Sequence, residues 1–231
     1  MTAQDDSRAR RALSEDARAR FEALYERRAS WEIGRPQPAL VELAAQGLIR
    51  GTVLDVGCGT GDNALYLGAL GLATWGIDIV AGAISEARAK ARQRGLPFAR
   101  FLVADVLELE ALDMTFDTVI DSGLFHALSD AERPWFVRGL AAVLRPGGLY
   151  HMLGFSELAP GATGPRRLRE EEIRATFRDG WRVVRLVRSR FETHLQPDGM
   201  SAWLGTMERT LAGYGTLADT GSLDGPVAKS H

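Results

Sequence analysis

Cysteine occurs once in the 231 residues, at Cys58. A lone thiol cannot close an intramolecular disulfide, which points to a reducing compartment and makes the cytoplasm the expected location. Lysine is almost missing too: Lys90 and Lys229 are the only ones, and arginine carries the remaining positive charge. At a net charge of −2 the chain has no electrostatic footprint for a long nucleic acid. No apolar run nears the roughly 20 residues needed to span a bilayer, and the opening stretch MTAQDDSRARRALSEDARARFEAL is too charged for a secretory signal. Neither nucleic acid nor membrane is therefore an expected partner, no metal centre is expected, and nothing sets an oligomeric state. There is no internal repeat. What remains is 45% hydrophobic and 25% charged, the composition of a globular chain long enough for one α/β domain.

Residues 1–20 form a charged, Ala/Arg-rich arm, expected to be mobile at its tip, and residues 21–50 form N-terminal helices that act as a lid. Phe21, Leu24 and Tyr25 share one helical face, and Gly34 and Pro36 interrupt the helix. From position 51 to 210 short apolar strands alternate with amphipathic helices. Strands are predicted at Val53–Val56, Thr74–Ile79, Phe101–Ala104, Phe116–Asp121 and Leu149–Phe155. Ser129 and Glu132 have the spacing of a capping box ahead of a helix with Phe136, Val137, Leu140 and Leu144 inward. Trp181–Thr193 and Ala202–Arg209 read as strands joined by a turn at Gln196–Gly199, hence antiparallel. Residues 211–231 read as a flexible tail. The expected fold is α/β: a doubly wound, Rossmann-like, seven-stranded sheet, mostly parallel with an antiparallel C-terminal hairpin.

The stretch VLDVGCGTGD, Val53 to Asp62, ends the first strand in a glycine turn. Ligands of such sheets sit beyond the carboxyl ends of the strands, so the turn lies at the expected site. A nicotinamide cofactor would call for G-x-G-x-x-G with its pyrophosphate on the helix N-terminus. Here the glycines run G-x-G-x-G (Gly57, Gly59, Gly61), and Asp55 would repel a phosphate. A ligand carrying an ammonium and a sulfonium would be attracted.

VLDVGCGTGD resembles the first motif of the class I S-adenosylmethionine-dependent methyltransferases, and the later motifs follow in order over residues 31 to 210. The resemblance implies that Asp55, Gly57, Cys58 and Gly59 hold S-adenosylmethionine, with Cys58 lending its backbone N–H. It implies that Asp78, in GIDI with Ile79, takes the ribose hydroxyls, and that Asp105, in VADV, meets the adenine amino group beside the Val106 N–H. FDTVID and LRPGG match the fourth and fifth strand regions. WEIGRPQPAL is similar to the segment ahead of the core in thiopurine, halide/thiol and tellurite-resistance methyltransferases, where it lids the cofactor, so Trp31 is an expected contact. The thiopurine enzymes carry Asp-Arg-Gly where this chain has Asp121-Ser122-Gly123. The implied activity is methyl transfer to an O, N or S atom of a small-molecule acceptor.

Of the four histidines, His126 follows the fourth strand on the ligand side of the sheet. Its near-neutral pKa suits a general base. His126, or Asp121 at the strand end, is the expected catalytic group, either taking the acceptor's proton or holding it in line. Phe125, Trp31, Ile33 and parts of the 156–170 loop are expected to wall the acceptor pocket. Two alternatives share the sheet: a nicotinamide-dependent oxidoreductase, and a non-catalytic S-adenosylmethionine-binding module.

Overall fold

A computed structural model of the protein describes residues 3–27, 29–161 and 164–210. The tail expected at 211–231 lies outside the described residues. The elements run α1 (Ala3–Tyr25), α2 (Pro38–Ala45), β1 (Val53–Val56), α3 (Asp62–Ala69), β2 (Thr74–Asp78), α4 (Ala81–Gln93), β3 (Ala99–Val103), β4 (Phe116–Ser122), α5 (Arg133–Val143), β5 (Leu144–Phe155), α6 (Glu170–Thr176), β6 (Trp181–Thr193) and β7 (Gln196–Arg209). The seven strands form one sheet in the order β3-β2-β1-β4-β5-β7-β6. β1 to β5 are mutually parallel, and β7 pairs antiparallel with both β5 and β6. The order reverses at β1, which pairs with β2 on one side and β4 on the other. That switch point opens a crevice at the strands' carboxyl ends.

Alternation along β1 divides the core. Leu54 and Val56 face Ile77, Val119, Phe136 and Leu140, while Val53 faces Leu67, Ile120, Leu40 and Leu43. Asp55 therefore points to the same side as Val53, under the first turns of α3. His151, mid-strand in β5, is buried with its ring nitrogens on Thr206 Oγ1 and the Leu48 carbonyl, a satisfied core histidine.

Three local expectations are corrected. The hairpin turns at His194 and Leu195, with Thr193 opposite Gln196, not at Gln196–Gly199. The turn-forming residues there serve a bulge: three residues of β7 oppose Glu192 between the pairs Phe191–Met200 and Thr193–Gln196, and Gly199 takes φ +74°. Helix α5 begins at Arg133, although Glu132 does accept the Ser129 N–H at 2.6 Å as half of the capping box. Leu144 belongs to β5, not to that helix. At the N-terminus, α1 runs unbroken across position 20. Arg10 on α1 ties it to the body through the Leu107 carbonyl at 3.3 Å, Glu110 at 2.7 Å and the face of Trp135.

Candidate active site

The glycine turn leaves β1 with Gly57 at φ +65° and Gly59 at φ +55°, a region that side chains avoid. Space is short as well. A Cβ on Gly59 would stand 2.7 Å from the Tyr25 hydroxyl and 2.9 Å from Glu32 Oε1, so the N-terminal segment seats directly on the turn. The last aspartate of the motif, Asp62, serves the fold: it opens α3 and pairs with Lys90 at 3.3 Å.

Beyond the strand ends lies a cavity of about 650 Å³. At one end it is lined by Asp78, Ile79, Asp105 and Val106, with Gly57 and Trp31 along its flank. Asp78 is buried and accepts two amides, Gly59 N–H on Oδ2 and Val80 N–H on Oδ1, each at 2.9 Å. Each carboxylate oxygen keeps a second lone pair for a ligand hydroxyl. Burial raises the pKa of Asp78, and the amide bonds offset only part of that rise. Asp105 accepts the Leu107 N–H at 2.8 Å and so also caps the start of the 3-10 segment that follows β3.

The other end is apolar. Phe155 from β5 and Phe191 from β6 meet edge to face with centroids 5.1 Å apart, and His126 lies 4.6 Å from the first. Helix α1 roofs the cavity through Ser14, Ala17, Phe21, Leu24 and Tyr25. Trp31 packs edge-on against Phe21 and Tyr25, with its Nε1 3.4 Å from the Tyr25 hydroxyl. A smaller recess of about 40 Å³ shares Trp31, Gly57, Ser122 and Phe191 with the main cavity and adds Glu32, Arg35 and Gln37.

Several expected residues stand elsewhere. Asp55 is buried and lines neither space, and both of its carboxylate oxygens lack a hydrogen-bond partner among the described residues. Desolvation pushes its pKa well up, and the nearby Asp121 adds to that. Asp55, Asp78 and Asp121 stand together as three buried carboxyl groups below the turn. Ionised carboxylates there favour a cationic ligand over a pyrophosphate.

Cys58 does not offer its amide, which the Ile77 carbonyl takes at 2.9 Å. Its thiol is buried and pushed up in pKa by desolvation and by Asp55. Asp121 is not at the cavity. It is fully buried and spends its oxygens on the Leu124 N–H (2.7 Å), the Phe125 N–H (2.9 Å) and the Tyr150 hydroxyl (2.7 Å), which shapes the loop after β4. Phe125 is likewise buried, against Phe136 and Phe177, and its neighbour Leu124 reaches the wall instead. Ile33 lines neither space. Of the 156–170 loop, Gly164, Pro165 and Arg166 line the cavity.

His126 does line it. Its Nδ1 accepts the Phe155 N–H at 2.8 Å. Burial, with Arg167 and Arg133 nearby, lowers its pKa to about 3. Sequence reasoning missed Phe155, Phe191, Glu32 and Arg35. Glu32 and Arg35 both lie in WEIGRPQ, where the sequence pattern marks only Trp31 and Ile33 for the site.

The geometry suits a nucleoside bearing a positive charge. Acceptors wait at Asp78 and Asp105, the turn has no room for a side chain, and the buried groups below it are carboxyls. Residues 53–148 match a family model described as "Methyltransferase domain". The chain is 35% identical over 181 residues to 2-heptyl-1-hydroxyquinolin-4(1H)-one methyltransferase of Mycobacteroides abscessus, covering 74% of this chain and 80% of that one. It is 30% identical over 143 residues to a probable thiol methyltransferase of Arabidopsis thaliana, covering 60% and 62%. A solved structure reported under conversion of a disulfide bond into a thioacetal group during echinomycin biosynthesis superposes with a TM-score of 0.76. That match has 35% identity and covers 84% of this chain and 91% of that one.

Proposed function

The chain belongs to the S-adenosylmethionine-dependent methyltransferases, and we propose that it methylates an O, N or S atom on a flat, largely apolar small molecule. The observation that carries this reading is the continuity of one cavity from Asp78 and Asp105 to the aromatic wall of Phe155, Phe191, Phe21 and Trp31. Its volume lies in the range of small-molecule sites, roughly 300–1,000 Å³. A relative that acts on a hydroxyquinolinone supports a ring-bearing acceptor.

The cofactor supplies a methyl group on a sulfonium centre. The chain binds and orients it. Asp78 accepts the ribose hydroxyls, Asp105 and the Val106 N–H meet the adenine, and the field of Asp55 favours the cationic end. Glu32 and Arg35, in the recess beyond Trp31, offer opposite charges to an amino-acid ammonium and carboxylate. The aromatic wall excludes water and holds the acceptor in line with the methyl carbon, the main contribution a displacement of this kind asks of a protein. Residues 21–36 close as a lid over both ligands. The single, buried thiol supports a cytoplasmic location.

Calorimetry with S-adenosylmethionine and with NADH tests the cofactor, and turnover on a panel of quinolinones, phenols, aryl thiols and amines tests the acceptor. Tight binding of NADH, or release of S-adenosylhomocysteine with none of the ring acceptors, would remove the reading.

A further inference from the structure

His126 stands in the short 3-10 turn Phe125–Ala127 after β4. A backbone amide can only donate, so the 2.8 Å bond from Phe155 N–H requires a lone pair on Nδ1. The proton of the neutral ring is then on Nε2. The ring is clamped between Phe155, at 4.6 Å, and Phe191, at 5.9 Å. Nε2 lies 3.5 Å from where a Cβ on Gly123 would be, and Gly123 lines the same cavity. No hydrogen bond from the described residues reaches Nε2, and His126 lines the cavity. The imidazole therefore presents an unpaired N–H at the acceptor end of the site.

The charged groups around it leave little room for a base. From α5, Arg133 lies close by and pairs with Glu172 of α6. From the loop before α6, Arg167 adds positive charge at the ring, and Arg166 pairs with Glu172 and Asp130. From β4, Asp121 is closed by its three donors. Ahead of α5, Glu132 has one oxygen on the Ser129 N–H. A ring surrounded in this way gains nothing from a second proton, whereas an anion opposite Nε2–H gains a hydrogen bond and a favourable field.

We propose that His126 is a positioning donor, not a base: its Nε2–H grips an acceptor atom that has already lost its proton. The site then selects acceptors that ionise in water near neutral pH, aryl thiols and acidic ring hydroxyls, over alcohols and amines. The inference rests on the methyltransferase reading. The acceptor's proton leaves to water before binding. The lone pair of its anion forms the new bond to the methyl carbon, the carbon–sulfur bond breaks with its electron pair going to sulfur, and the two opposite charges cancel. No proton is left for the protein to take.

The test uses the full chain with S-adenosylhomocysteine bound and 4-nitrophenol as an acceptor analogue whose ionisation is read from its colour. The anion should bind about tenfold more tightly than the neutral phenol, so that the bound probe titrates about one unit lower than the free one. His126→Asn keeps an oxygen for the Phe155 N–H but offers nothing at the Nε2 position, so the preference should vanish. His126→Gln places an amide N–H there and should restore most of it, although it cannot act as a base. In turnover by the wild type, the midpoint of kcat/KM against pH should move with the acceptor's own pKa across nitro- and chloro-substituted phenols and thiophenols. Equal binding of the two probe forms, an anion preference that survives in a folded His126→Asn protein, or a midpoint that stays put across acceptors would each overturn the proposal. The wild-type measurements decide if the variants do not fold. Failure of S-adenosylhomocysteine to bind, seen by calorimetry before any probe is added, would strike the methyltransferase reading instead.

Discussion

Replacing Asp78 by asparagine separates what that carboxylate does for the fold from what it does for the cofactor. Its oxygens hold the Gly59 and Val80 amides at 2.9 Å each. Asparagine supplies one oxygen and one NH₂, so one of the two amides faces a donor. A buried amide left without its acceptor costs about 1–3 kcal/mol, and the loss should appear as a lower urea midpoint without cofactor. The cofactor loses more. Two ribose hydroxyls bonded to a carboxylate are worth about 1.5 kcal/mol each at the low end for bonds to a charged group. Their sum of about 3 kcal/mol corresponds to roughly 10²-fold in Kd at 1.4 kcal/mol per decade. Calorimetry of S-adenosylmethionine on the folded variant reads this directly. An unchanged Kd in a protein that still unfolds cooperatively would refute the assignment of Asp78 to the ribose.

Asp55→Asn should act in opposite directions on the two readouts. Its folded pKa is raised by burial, so its charge costs the folded state stability, and stability falls as pH rises above about 3.9. Removing the charge should raise the melting temperature of the cofactor-free protein at pH 7 while weakening S-adenosylmethionine binding, and a variant that melts earlier would contradict the field argument. Asp121, raised to about 6 by burial, follows the same sign: stability falls between about pH 4 and pH 6 and is level above. Tyr150→Phe removes a donor to that carboxylate and should cost about 1–3 kcal/mol at pH 8 and less at pH 4, where the carboxyl is protonated; equal losses in urea unfolding at both pH values would exclude the coupling. Amide exchange in residues 21–36 should slow when cofactor is added, and identical exchange with and without it would dismiss the lid.

The parts of the site that could be read from the sequence are those written in contiguous stretches. The glycine turn, Asp78 and Asp105 each sit at the end of a short apolar strand, where local pattern alone gives the position. The aromatic wall could not be read that way. Phe155 and Phe191 come from β5 and β6, and nothing local marks two phenylalanines that meet only when β7 is inserted between those strands. Asp121 and Phe125 misled because a residue at the ligand end of a strand can point inward. The donors that hold Asp121 come from the loop after its own strand and from Tyr150 on β5. The Pro-Asp-Gly signal near 198 was a real demand for unusual backbone, met by a bulge within β7 instead of by the turn. For Asp55 the type and position were legible, but its burial was not.

One cavity brings a methyl donor and a flat, ionised acceptor together in the reaction proposed for this chain. The most direct test incubates the protein with S-adenosylmethionine carrying a deuterated methyl group and with a hydroxyquinolinone or an aryl thiol, then follows both products by mass spectrometry. S-adenosylhomocysteine and labelled acceptor should form in equal amounts, with the label on the oxygen or sulfur that ionises. If both ligands bind by calorimetry yet no label leaves the cofactor, the account is contradicted, and the protein is a binding module on a methyltransferase scaffold.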